Sequence, residues 1–377
     1  VKILFEKSIT GAHQSFIWED GSFAVGDLSS FDWFFSTGAR RHRNIIAASE
    51  AAGCNLVLEP CAPQAKFWMK HTQHPAWNRI LSRSEFSTHL AHQIDMVVKF
   101  LDDPQNNYFL EVFQIQQALI DSLHPARVRD DTLNAHGFSP DQKGFVPVPV
   151  YDNAHSATGR MSIKEGPKIL TLPKENRDRI RSRWDDGELI EIDFNALEAR
   201  VLGWISDRKI ELVDAYEWIG RESQFRDTPR AVIKEATLSA IYGMSRRNFA
   251  LKFQDTPDAI EVYDSIRKLM RVGELDEKLR TMKRFENAFG RPLGDTNARI
   301  SHFVQSSAVD VACSGFLDLV SLLDPDFAKP IFLIHDAIVI DSKKCYTHEI
   351  ETICKEGLRI NIIDRSFPVK IRRFGHE

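Results

Sequence analysis

Hydrophobic and polar positions follow two different periods along this chain. In GELIEIDF (187–194), Ile190 and Ile192 fall on one side and Glu191 and Asp193 on the other, the two-residue period of a strand. Directly afterwards, Leu197, Val201, Trp204 and Ile205 recur at helical spacing. IFLIHDAIVID (331–341) has four apolar residues on each side of the His335–Asp336 pair. It reads as two core strands folding back at a bend that lacks the usual Gly or Asn. A helical pattern over 85–124 is interrupted at DDPQNN, where Pro104 forces a stop and restart. Residues 209–290 read as predominantly helical, and 134–157 as loop or extended chain. The first 85 residues mix short strand-like runs (3–5, 15–18) with aromatic stretches such as FDWFF.

Composition narrows the class little. With 377 residues, 43% apolar and 27% charged, the chain can bury a sizeable core and is expected to divide into two or three lobes. No apolar run reads as long enough to cross a bilayer, and no signal-peptide pattern opens the sequence, so no membrane partner is expected. Five scattered cysteines suit a reducing, cytoplasmic setting. Cys54, Cys61, His71 and His74 do not have the spacing of a common zinc finger.

The net charge of −4 does not advertise nucleic-acid binding, but cations cluster locally. RDRIRSR (177–183), residues 226–252 and KLRTMKRFENAFGR (278–291) are each rich in Lys and Arg. Each could be a solvated helix face, and together they could meet phosphates.

Two arrangements carry chemistry. After Thr228, a good N-cap, and Pro229 comes a helix whose Arg230, Lys234, Leu238 and Tyr242 follow at four-residue steps along one face. Its positive end shows two cations and its far end an aromatic beside Gly243, which would match phosphate at one end and base or sugar at the other. Separately, Asp193 and Asp336 each sit at the end or bend of an apolar strand. Sharing a site, they would call for a hard divalent cation such as Mg²⁺.

These elements, in this order, resemble the polymerase domain of family A DNA polymerases, the group containing bacterial DNA polymerase I and several phage replicases. ATGRMS (157–162) is similar to the family's TGR-L-S element, DFNALEAR (193–200) to motif A, and RAVIKEATLSAIYGMS (230–245) to motif B. FGR (289–291) corresponds to a G-R element, VQSSAVD (304–310) to Q-G-T-A-A-D, and IHDAIVI (334–340) to motif C. The resemblance implies an α+β right-hand polymerase fold with an antiparallel-sheet palm, helical fingers and a short helical thumb. The expected divisions are an N-terminal region of unknown role (1–85), thumb (86–144), palm (145–206 and 286–377) and fingers (207–285).

It further implies template-directed addition of deoxynucleotides to a primer 3′-hydroxyl with release of pyrophosphate, using two Mg²⁺ ions, with Mn²⁺ as an alternative. Asp193 and Asp336 would hold metal, Arg230 and Lys234 the triphosphate, and Glu198 would exclude a 2′-hydroxyl. Leu238 would line the nucleotide site, where the family has Phe or Tyr. Tyr242 and Gly243 would meet the templating base, while Arg160, Gln305, His335 and Arg291 would contact DNA. Ala337 stands where the family has Glu, and Ser301 where it has Asn. Primed DNA and deoxynucleotides are the expected partners, with replisome proteins, including a separate exonuclease, as further candidates. No Asp-x-Glu occurs in residues 1–150, so neither proofreading nor a 5′ nuclease is expected. A phage or mobile-element origin fits the compact form. The alternatives are a single-subunit RNA polymerase-like enzyme and a catalytically inactive DNA-binding replisome component.

Overall fold

The computed structural model describes residues 2–375 except 6–14, 20, 26–30, 36–43, 57–62, 72–76, 130, 154–155, 211–213, 257, 295–296 and 298. It is a mixed α+β structure whose chain divides into two compact units, Val1–Asp121 and Ser122–Glu377.

In the first unit, strands β1 (Lys2–Phe5), β2 (Phe16–Glu19), β3 (Ser22–Val25) and β4 (Trp33–Phe35) form a sheet in the order β3-β2-β1-β4. The β1–β4 pair is parallel and the other two pairs are antiparallel. Helices α1 (Ile45–Ala51), α2 (Pro63–Met69) and α3 (Trp77–Ile80) lead to α4 (Arg83–Asp102) and α5 (Asn107–Asp121). Ser82 and Glu85 make a capping box that fixes the start of α4. The break between α4 and α5 falls at Pro104, as the pattern predicts. The expected thumb straddles the division, because α4 and α5 belong to the first unit. Residues 122–144 belong to the second, where Ala126, Val128, Leu133 and Phe138 enter its core.

The second unit is built on an antiparallel sheet. Short strands β5 (Ala126–Val128), β6 (Phe145–Val146), β7 (Val150–Asp152), β8 (Ser162–Glu165) and β9 (Ile180–Arg181) precede β10 (Gly187–Phe194). The helices that follow are α6 (Leu197–Ile205), α7 (Ala215–Glu222), α8 (Arg230–Ile241), α9 (Arg246–Lys252), α10 (Ala259–Leu269), α11 (Val272–Thr281) and α12 (Arg299–Leu322). The chain ends with β11 (Ala328–Ile334), β12 (Ala337–Lys343), α13 (Thr347–Cys354), β13 (Leu358–Ile360), β14 (Arg365–Phe367) and β15 (Val369–Arg373). The main sheet runs β11-β12-β10-β15, antiparallel throughout.

Alternation along β10 sends its two faces to different neighbours. Phe194, on the face of Ile190 and Ile192, meets Phe316 of α12 at 5.1 Å between ring centres. Gly315 makes this approach possible, since a Cβ there would lie 3.0 Å from the Phe194 ring. On the opposite face, Leu189 joins Val339, Phe332, Phe374 and Phe138 in a second hydrophobic cluster. Glu191 and Asp193 continue that second face beyond the cluster's edge. Helix α12 corrects one sequence expectation: its length and mean hydropathy of 1.3 suffice to cross a bilayer. It is nonetheless 78% buried within the protein over that stretch, as a core helix is.

Candidate active site

The β11–β12 hairpin bends at His335–Asp336, with Ile334 paired to Ala337. His335 adopts φ 52°, a left-handed conformation that costs a non-glycine residue about 1 kcal/mol. Tyr151 buttresses the hairpin: its hydroxyl donates to the Leu333 carbonyl and accepts from the Leu333 N–H, both at 2.9 Å. Burial raises the Tyr151 phenol well above its usual range, so it stays a neutral hydroxyl.

This bend delivers Asp336 to Asp193. Asp193 pairs in register with Ala337, and the Phe194 N–H donates to the Asp336 carbonyl at 3.1 Å. Burial pushes the Asp193 carboxyl up to about 6, with Glu191 and Asp336 adding to the rise while Arg372 and Lys370 oppose it. Asp336 is raised by burial and by Glu198, against Arg160. Such a pair is poorly satisfied by protein alone, and its hard oxygen donors suit Mg²⁺ or Mn²⁺. Among the described residues no group of three or more His, Cys, Asp or Glu forms a metal cluster. A two-carboxylate site that takes further oxygens from phosphate and water therefore fits this chain better than an all-protein cage. Cys61 and His74 of the zinc pattern lie outside the described residues.

Glu198 is 9% exposed on the first turn of α6, with both oxygens engaged. Arg160 donates to Oε1 at 2.6 Å, and the Tyr242 hydroxyl donates to Oε2 at 2.7 Å. Gln305 of α12 also hydrogen-bonds the Tyr242 side chain. Arg160 and Tyr242, far apart in sequence, thus meet at the Glu198 carboxylate, and Gln305 joins through Tyr242. His335 belongs to the same neighbourhood, its imidazole pushed down by burial and by the Arg160 and Arg177 charges.

Helix α8 carries the remaining residues. Pro229, rather than Thr228, occupies its cap position. Lys234 is exposed and has no hydrogen-bond or ion-pair partner among the described residues. Arg230 is bound to Asp214, and Leu238 is half-buried. Gly243, at φ 71°, ends the helix: the Tyr242 N–H bonds Leu238 and the Met244 N–H bonds Ser239. Only glycine adopts that turn freely, which accounts for the Tyr-Gly pair. Beyond it opens a cleft of about 550 Å³ whose lining includes Tyr242, Arg246, Arg267, Arg280, Arg299 and Ser301.

No protein-family model and no curated protein sequence matches this chain. Among solved structures it is similar to the POL domain of Pol1 from M. smegmatis in complex with DNA primer-template and dNTP. The two are 15% identical with a TM-score of 0.49, over 87% of this chain and 63% of that one.

Arg291 departs from expectation. It is 2% exposed, so its guanidinium is not available to DNA. It pairs with the buried Asp310 at 3.4 Å and lies against Gly159, where a Cβ would come within 2.9 Å of it. Asn287 completes the network, donating to Asp310 at 2.6 Å and accepting the Phe289 and Arg291 N–H groups. Arg291 therefore supports the turn that presents Arg160.

Several cations of the basic clusters are likewise paired within the protein. Arg177 faces Glu191, Arg183 is bound to Asp341, Arg246 to Asp264, Lys252 to Glu235 and Arg280 to Asp276. Sequence reading missed Glu191 and Arg372. Arg372 on β15 binds Glu191 and reaches Asp193 at 3.6 Å. The signal was present as alternating charge: Lys370 and Arg372 stand opposite Asp193 and Glu191.

Proposed function

We propose that this chain is a template-directed DNA polymerase, adding deoxynucleotides to a primer 3′-hydroxyl and releasing pyrophosphate. The observation that carries this reading is the pairing of Asp193 with the Asp336 bend, a fixed dicarboxylate edge beside Glu198, Arg160, Tyr242 and Gln305. The motif order along the chain agrees with it.

Asp193 and Asp336 would hold two Mg²⁺ ions, which supply charge neutralisation for the attacking and leaving oxygens. The protein's own groups do the positioning. Lys234 and Arg230, at the positive end of α8, bind the triphosphate. Glu198, locked by two hydrogen bonds, occupies the space a 2′-hydroxyl would need. Tyr242 offers a ring to the templating base. Arg160 and Gln305 suit the acceptors that correct base pairs present in the minor groove. His335, kept neutral, lies next to the primer end.

Extension of a primed template with deoxynucleotides and Mg²⁺, run beside Asp336→Ala, tests the reading. Extension by the unaltered protein and a loss on the order of 10²–10³-fold in the variant is expected. Equal extension by both would refute the mechanism. Template binding with extension by neither would favour the inactive DNA-binding alternative, and a preference for ribonucleotides the RNA polymerase-like one.

A further inference from the structure

Asp214 has no role in the function proposed above, yet it is bonded from two directions. One carboxylate oxygen, Oδ1, caps α7 by accepting the Tyr216 N–H at 2.9 Å and the Glu217 N–H at 3.2 Å. The other, Oδ2, accepts from Arg230 twice, Nη2 at 2.6 Å and Nε at 3.1 Å. The Arg230 guanidinium also lies over the Tyr216 ring, 5.1 Å from its centre. A third charge stands behind: Arg200 of α6 is 3% exposed and within electrostatic reach of Asp214.

Because the backbone of α7 fixes Oδ1, the Asp214 side chain cannot swing after that of Arg230 and moves only with α7. The arginine is instead held on a fixed acceptor, with one edge of its guanidinium used and its ring contact restricting rotation. An arginine has five N–H donors. Nε and one N–H of Nη2 serve Asp214, leaving Nη1 and the second N–H of Nη2 as a complete two-pronged edge. The Arg230 side chain is 44% exposed, so that edge has room for a phosphate without releasing Asp214.

We infer that Asp214 is a positioning residue that presents the free edge of Arg230 to the nucleotide's phosphates, and so sets nucleotide affinity without touching substrate. This rests on the polymerase reading. The opposite possibility is that Asp214 is a placeholder that a triphosphate must displace, and the two differ in sign. A presenting carboxylate strengthens nucleotide binding, whereas a placeholder weakens it.

The experiment uses Asp214→Asn, which keeps an oxygen for the α7 cap but removes the charge that orients Arg230. KM and kcat for a single deoxynucleotide are measured on a primed template. Equilibrium binding of the same nucleotide is measured on a complex whose primer lacks a 3′-hydroxyl. Both are repeated in an Arg230→Ala background, and thermal melting verifies that each variant is folded. We expect KM and the dissociation constant to rise at least about tenfold with kcat changed less than about twofold, and no further rise from Asp214→Asn once Arg230 is gone. An unchanged or lowered KM, or an equal rise in the Arg230→Ala background, overturns the inference and leaves the polymerase reading standing. Failure of the unaltered protein to incorporate any nucleotide overturns both.

Discussion

Asp193, near the end of β10, and Asp336, at the bend that opens the adjacent strand β12, are tied by the bond from the Phe194 N–H to the Asp336 carbonyl. Their spacing is therefore a property of the backbone ladder. A rotamer change can swing either carboxylate, but it cannot separate their strands.

That placement makes the metal-free protein sensitive to pH. Asp193 ionises near 6 in the folded state, above the 3.8 of an ordinary aspartate, because burial disfavours its charge. The folded protein thus binds this proton more tightly than the unfolded chain does. The resulting stability is fully present below about 3.8 and is lost as pH rises through about 6. Melting in a chelator between pH 5 and 8 should show Asp193→Asn more stable than the unaltered protein at the upper end, with the gap closing as pH falls. A gap independent of pH would refute the shift. Direct Mn²⁺ binding should weaken as pH drops below about 6, since the ligand must be ionised.

Glu198→Ala should raise ribonucleotide incorporation relative to deoxynucleotide by roughly 10–10²-fold, measured as a ratio of kcat/KM values. Tyr242→Phe, which removes one of the two hydrogen bonds holding Glu198 but keeps the ring, should shift the ratio in the same direction by less. An unaltered sugar preference in Glu198→Ala would sink the assignment of this residue.

The fully buried Asp341 accepts from Ser182 at 2.6 Å and from the Arg183 backbone at 2.9 Å and side chain at 3.1 Å. Asp341→Ala would leave Arg183 without its carboxylate and should cost roughly 3 kcal/mol. Denaturant unfolding measures this, and a loss under about 0.5 kcal/mol, typical of an exposed pair, would contradict the burial argument.

Gly159→Ala should combine a strained backbone at φ 69° with a contact of 2.9 Å to Arg291. A loss of about 1–3 kcal/mol is expected, with primer-template affinity falling as Arg160 is displaced. Arg291→Met should also destabilise, but through the uncompensated Asp310. Full stability in Arg291→Met would show that the pair contributes nothing.

Local periodicity made the scaffold legible. The strand 187–194, the helix after it and the hairpin around His335 are set by alternation between near neighbours, which a reader of sequence sees directly. The ordered motifs made the acids legible for the same reason. The partners of those residues were not legible, because long-range packing selects them. FGR reads as a basic surface element, yet Asp310 and Gly159 draw its arginine inside. Arg230 reads as a free cation, yet a loop aspartate claims one edge of it. Several cations of the clusters read as phosphate contacts because their carboxylate partners, Asp341, Asp264 and Glu235, come from other elements.

The clamp on Tyr242 has a mechanical consequence. Asp214 couples the start of α7 to the start of α8, so these helices travel as one piece, while Glu198 tethers the far end of α8. Twelve residues make that helix a lever about 18 Å long. A tilt of about 10° around the tethered end would carry Arg230 about 3 Å and leave Tyr242 almost still, a stroke comparable to one hydrogen-bond length.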